Sequence, residues 1–120
     1  MTPTSSRQVT GAQGESLGVR YLQEKGYEIL EQNFRCKLGE LDIVAKMNEY
    51  LVFCEVKTKR DPKFHPSYSI TQKKMKKLHQ LGLFYMSSRR LHQLQPRFDV
   101  LAIQLFPNRA PLIEHFINAF

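Results

Sequence analysis

Two cysteines, Cys36 and Cys54, are all that the chain carries, and no CxxC pair occurs in its 120 residues. That argues against a disulfide framework and against a cysteine zinc site. The four histidines show no ligand spacing either, so they read as structural or surface residues. No apolar run approaches the length of a bilayer span, and the opening segment Met1 to Arg7 lacks the apolar centre of a signal peptide. The expectation is a soluble cytoplasmic protein with no membrane partner. Acidic residues are also in short supply. Eleven Asp and Glu face eighteen Lys and Arg, a net charge of +7, which suits a polyanionic partner. There is no internal repeat, low-complexity stretch or second-domain linker. With 42% hydrophobic residues, the chain reads as one domain over 1–120, its polar first ten residues expected to be mobile.

What is present is concentrated between Gly39 and Lys57. Gly39-Glu40-Leu41-Asp42-Ile43-Val44-Ala45 and Leu51-Val52-Phe53-Cys54-Glu55-Val56-Lys57 are both short and rich in strand-forming residues. They are too close in sequence for a crossover, so they should form an antiparallel hairpin. A two-residue loop at Asn48-Glu49 pairs Met47 with Tyr50, and every pair then sums to 97. Asp42 falls opposite Glu55, and Glu40 opposite Lys57 on the same face. Directly opposed residues have Cβ atoms roughly 4.5–5.5 Å apart. A three-residue loop would send the two carboxylates to opposite faces.

Like charges directly opposite one another destabilise a hairpin, and a cation would reverse the sign of that interaction. Oxygen donors suit Mg²⁺ or Mn²⁺. With Lys57 beside the metal, the arrangement is one for phosphoryl transfer. Glu40 is expected to form a cross-strand ion pair with Lys57, although it also lies close enough in sequence to join the metal.

Asp42, a gap of twelve residues, and then Glu55-Val56-Lys57 resemble the D…ExK core of the restriction-endonuclease-like (PD-(D/E)xK) nucleases. The wider pattern resembles the small bacterial YraN family of that superfamily. Its pieces are Gly14-Glu15, Gly26-Tyr27-Glu28-Ile29-Leu30, Asn33-Phe34-Arg35, Gly39 to Val44, Phe53 to Thr58, and Arg97-Phe98-Asp99-Val100. Leu41 stands where the superfamily usually has proline. The glycine expected after the Lys57 strand is missing, with His65-Pro66 nearby, and His65 is kept in reserve because its loop borders the site.

The resemblance implies an α/β three-layer sandwich with a central mixed five-stranded sheet, in the order α-β-β-β-α-β-β. It implies metal-dependent hydrolysis of nucleic-acid phosphodiesters, leaving a 5′-phosphate. DNA ranks ahead of RNA, and relatedness to Holliday-junction resolvases suggests branched substrates and a homodimer. Asp42 and Glu55 would hold Mg²⁺ or Mn²⁺, the Val56 carbonyl is a candidate third ligand, Glu15 would join through water, and Lys57 would orient water or stabilise charge. The alternative is a nucleic-acid-binding or DNA-processing accessory protein that keeps the fold without cutting.

The remaining segments are read from the residues themselves. Gln13 to Lys25 predicts the first helix, ended by Gly26. Glu15 either completes the metal site or, in the first turn, meets the helix dipole. Gly11, Gly14 and Gly18 are costly in a helix and imply close packing, backbone approach to phosphate, or a later helix start. Tyr27 to Arg35 predicts the first strand. The segment after Lys57 carries Lys59, Arg60 and Lys63, either as phosphate contacts or as a solvated connector. Ser69 or Thr71 caps a second helix running to about Ser88, with Ile70, Leu78, Leu81 and Tyr85 inward. Lys74 falls on that inner stripe, so it reaches the site, reaches a phosphate, or snorkels. Lys73 and Lys77 flank it, either as further phosphate contacts or as a solvated face. Arg97 to Phe106 and Pro111 to Ile117 predict the last two strands. Asp99 reads as structural, paired with Arg97 or a helix lysine.

Overall fold

In the computed structural model, residues 6–60 and 69–120 are described. Asn48 adopts the left-handed conformation (φ 53°), which a short polar side chain tolerates. The chain therefore turns over two residues, and Met47 pairs with Tyr50. This joins β2 (Gly39–Met47) to β3 (Tyr50–Lys59) as an antiparallel hairpin, with Lys46 opposite Leu51, Val44 opposite Phe53 and Ile43 opposite Cys54. β1 (Glu28–Cys36) adds antiparallel to β2, with a bulge between Ile29 and Glu31. β4 (Gln95–Gln104) adds parallel to β3, and β5 (Leu112–Phe116) closes the far edge antiparallel to β4. The sheet order is β1-β2-β3-β4-β5.

The parallel β3–β4 pair needs a crossover, and α2 (Gln72–Ser88) lies in that connection. Thr71 caps it, its hydroxyl accepting the Lys74 N–H at 3.1 Å. α1 (Ser6–Glu24) precedes the sheet and ends as Gly26 turns to φ 92°, the Tyr27 N–H reaching back to the Leu22 carbonyl at 2.9 Å. Alternation along β3 divides the core. Leu51 and Phe53 pack with Leu78, Leu81, Tyr85 and Met86 of α2. Val52 and Cys54 pack with Leu22 of α1 and Leu101 and Ile103 of β4. One helix therefore covers each face, giving the expected α/β sandwich with a mixed five-stranded sheet. Cys54 is buried, as its place in that alternation predicts.

Two departures from a regular reading come from how neighbouring elements pack. α1 begins at Ser6 rather than Gln13. Its glycines do not mark a late start. Gly14 is buried against β3, where a Cβ would stand 1.8 Å from Thr58 Oγ1 and 2.8 Å from Thr58 Cβ. Close packing of helix on strand is thus what requires a glycine there. Gly14→Ala should lower stability by about 1–3 kcal/mol, read as a lower urea midpoint. Adding Thr58→Ala should recover only part of it, because the Thr58 Cβ stays in the way.

The second difference lies in β2. Strict alternation would place Leu41 with Ile43 and Ala45 on the α1 side, but Leu41 packs with the α2-side cluster. The β2–β3 pairing ends at Ile43–Cys54, and the alternation ends with it.

Candidate active site

The hairpin ladder stops one pair short of Asp42 and Glu55. In place of a strand carbonyl, the Asp42 carboxylate accepts the Val56 N–H, at 2.9 Å to Oδ2. This turns Asp42 into the opening at the end of the ladder, between the two helices. A cleft of about 560 Å³ on the α1 side is lined by Glu15, Asp42, Glu55, Val56, Lys57 and Arg60 among others. A second, of about 450 Å³ on the α2 side, is lined by Glu40, Asp42, Glu55, Lys73, Lys74 and Lys77 among others. Asp42 and Glu55 belong to both walls, so the carboxylate pair sits where the clefts meet.

The acidic groups crowd this junction. One carboxylate oxygen each from Glu15, Glu40 and Asp42 lies within 4.8 Å of the others. Burial, and next the negative charge of Glu55, push the Asp42 carboxyl up to about 7; the Val56 N–H pulls it down, and Glu15 and Glu40 add smaller upward pushes. Glu15 is also raised, chiefly by burial, while a hydrogen bond from Asn33 opposes the shift. Glu15 stands in the middle of α1, which has no acidic residue in its first turn. The helix-dipole reading of Glu15 is therefore replaced by its place beside Asp42.

Glu40 corrects a second expectation. It does not pair with Lys57. It faces Arg35 across the β1–β2 ladder and forms an ion pair there at 3.4 Å. The reason is again the end of the β2–β3 pairing, which leaves Glu40 and Lys57 out of register. Glu40's spacing of two from Asp42 was the available signal that both carboxylates approach one centre.

Glu55 lies between two ammonium groups. Its side chain is about 10% exposed, with Lys74 Nζ at 3.1 Å and Lys57 Nζ at 3.8 Å from the same oxygen, Oε1. Burial and the neighbouring Lys74 lower the Lys57 pKa. At Lys74 burial also opposes the charge, but Glu55 outweighs it and the pKa rises. The inward position of Lys74 on α2 thus brings it to the site. Lys59 and Arg60 leave the site along the α1 side, where Arg60 donates to Thr10 Oγ1 and, at 3.0 Å, to Gln13 Oε1. Lys73 and Lys77 line the α2 side. Lys63 and His65 lie outside the described residues.

The uncharacterised protein family UPF0102 matches residues 14–103, a span that holds Glu15, Glu40, Asp42, Glu55, Lys57 and Lys74. The chain belongs to the UPF0102 family. This is the YraN family that the motifs resemble. Similar UPF0102 proteins include one from Pelobacter propionicus, 46% identical over 114 residues, covering 92% of this chain and 81% of that protein. Another, from Caldanaerobacter subterraneus subsp. tengcongensis, is 38% identical over 118 residues, covering 96% of this chain and 97% of that protein. A third, from Clostridioides difficile, is 42% identical over 108 residues, covering 89% and 92%.

In this UPF0102 chain a second polar cluster lies apart from both clefts. Asp99, fully buried, accepts two bonds from Arg97 (3.0 and 2.8 Å) and the Asn118 N–H (3.0 Å), and meets His115 Nε2 at 2.7 Å. Arg97 also donates to the Tyr27 hydroxyl at 2.7 Å. Asp99 is thus paired with Arg97, as the sequence suggested, and with no helix lysine among the described residues. His115 was not foreseen. It meets Asp99 only because β5 pairs with β4 so that His115 faces Leu101. Among the described residues no helix is long and apolar enough to cross a membrane.

Proposed function

We propose that this protein is a metal-dependent nuclease that hydrolyses nucleic-acid phosphodiesters, DNA ahead of RNA. The observation that carries this reading is the position of Asp42 and Glu55 on the shared wall of two clefts, each flanked by cations: Lys57, Lys59 and Arg60 on one side, and Lys73, Lys74 and Lys77 on the other. A phosphate backbone crossing the junction would meet positive charge before and after the carboxylates.

The donor set fits a hard divalent cation. It is made of oxygens only, and its crowded carboxylates would be relieved by positive charge. Asp42 already lies with Glu15 and Glu40, and Glu55, now held by Lys74 and Lys57, would join it in holding Mg²⁺ or Mn²⁺. When bound, the ion supplies Lewis acidity and lowers the pKa of water. The chain's own residues do the rest. Lys57 offers an ammonium to the charge that develops on the phosphoryl oxygens. The Val56 N–H fixes the Asp42 carboxylate. The flanking Lys and Arg hold the strand.

A second reading, a binding module without turnover, draws on Glu55 being already neutralised by two lysines. One experiment separates the two. Labelled single strands, duplexes, flaps, four-way junctions and RNA are incubated with Mg²⁺, Mn²⁺ or EDTA, and wild type is compared with Asp42→Asn and Lys57→Ala. The nuclease reading expects metal-dependent cutting that both substitutions reduce by about 10²-fold or more. The four-way junction tests the branched substrate that the resemblance implies. Binding without cutting, equal in all three proteins, would transfer the assignment to the binding module.

A further inference from the structure

We infer that Lys74 is a displaceable counter-ion: it occupies Glu55 when no metal is bound, is exchanged for the metal at Glu55, and then serves the substrate phosphate. The inference rests on the proposed metal site and goes beyond it by making one α2 lysine exchange between Glu55 and the substrate phosphate.

The geometry of Glu55 supplies the argument. A single carboxylate oxygen receives both Lys74 at 3.1 Å and Lys57 at 3.8 Å. Lys57 is fixed on the same strand two residues away, and its side chain is about 27% exposed. Lys74 comes from another element, and its side chain is about 45% exposed. Of the two, Lys74 has the solvent space in which to swing away. Its backbone stays in place, because its N–H is held by the Thr71 cap. The side chain therefore pivots from a fixed point in the first turn of α2, on the wall of a cleft that also carries Lys73 and Lys77. A cation at Glu55 Oε1 and the Lys74 ammonium compete for one oxygen. Once displaced, Lys74 remains in the cleft as a free positive charge beside the carboxylates, where the reacting phosphate would lie.

The test measures Mn²⁺ binding by calorimetry on the full chain, and then binding of a labelled DNA oligonucleotide at saturating Mn²⁺ on ice. It uses wild type, Lys74→Met, Lys74→Arg and, as a charge control on the same helix, Lys76→Met. Removing the competitor should tighten Mn²⁺ binding by about 3–10-fold in Lys74→Met, a modest gain because the pair is partly solvated. Oligonucleotide affinity in the same variant should fall by a similar factor. Lys74→Arg should keep the oligonucleotide affinity, and Lys76→Met should leave Mn²⁺ affinity unchanged. Unchanged or weaker Mn²⁺ binding in Lys74→Met would overturn the inference, as would an equal gain in Lys76→Met, which would mean diffuse electrostatics. Wild type that binds no Mn²⁺ would instead defeat the metal site itself.

Discussion

Asp42→Asn should remove the stabilisation by Mn²⁺ while making the metal-free protein more stable at neutral and alkaline pH. Wild type should show a melting temperature that climbs with Mn²⁺ concentration, as required of any ligand that binds the folded state alone. The variant should show little or no climb. The gain in the metal-free state follows from the crowding at the site. The Asp42 carboxyl is shifted from an ordinary 3.8 to about 7 by burial and by Glu55, Glu15 and Glu40. Between those values the folded chain holds a proton that the unfolded chain has released. Stability contributed by this group is therefore complete below about pH 4 and is lost as pH rises through about 7. Forcing the charge on at pH 8 costs about 4 kcal/mol. Asn carries no charge and still offers an oxygen to the Val56 N–H, so it avoids most of that cost. Thermal melts in EDTA from pH 4 to 8 should show wild type declining across this window and Asp42→Asn declining less. A variant that is less stable than wild type at pH 8, or that keeps the full Mn²⁺ response, would refute this account of the site.

The sequence made much of this architecture readable because its strongest patterns are local. Asn48-Glu49 set the hairpin register, and the register held from Met47–Tyr50 to Ile43–Cys54. Of the two caps offered, Ser69 and Thr71, the helix uses Thr71, and the stripe of Leu78, Leu81 and Tyr85 marks its buried face, whereas Ile70 falls before its first turn. Lys74 announced itself as a charge on that stripe. The misreadings arose where pairing stops. A register rule applied past Ile43 matched Glu40 with Lys57, whereas Leu41 turns to the other face and Glu40 answers to Arg35 on β1. No spacing within the hairpin reveals that neighbour, because it depends on the β1–β2 pairing. The start of α1 was hidden for a related reason. Gly14 looks like a poor helix residue until Thr58, forty-four positions later, is seen to fill the space a side chain would need. The partnership of Asp99 with His115 likewise depends on which strand lies at the far edge of the sheet.

That edge carries the largest stability effect to be expected outside the site. Asp99→Ala should cost about 3–5 kcal/mol, the range for breaking one side of a buried charge pair. The carboxylate is fully buried, and its removal strands three partners at once. The Arg97 guanidinium, about 11% exposed, loses both of its bonds to the carboxylate. The Asn118 N–H loses its acceptor, and so does His115. Tyr27 and Tyr50, whose rings lie 5.7 and 5.1 Å from the guanidinium, remain as its neighbours, but they supply no full negative charge. At a domain of this size the loss should appear as a fall in melting temperature of about 10 °C or more.

The pH dependence should run opposite to that of Asp42. Burial alone would raise Asp99, but His115, Arg97 and the Asn118 N–H overcome it and hold the carboxyl below its usual 3.8. Stability from Asp99 is thus present above about pH 4 and is lost as pH falls through its lowered value. Wild type should weaken on the acid side through Asp99 and between pH 4 and 7 through Asp42. Asp99→Ala should flatten only the acid limb, and Asp42→Asn only the other. Because no residue of the Asp99 cluster lines either cleft, Asp99→Ala should keep the full rise in melting temperature with Mn²⁺ from its lower starting point. Loss of that rise would mean the buried cluster and the candidate metal centre are one cooperative unit, and the division between scaffold and site drawn from the clefts would be wrong.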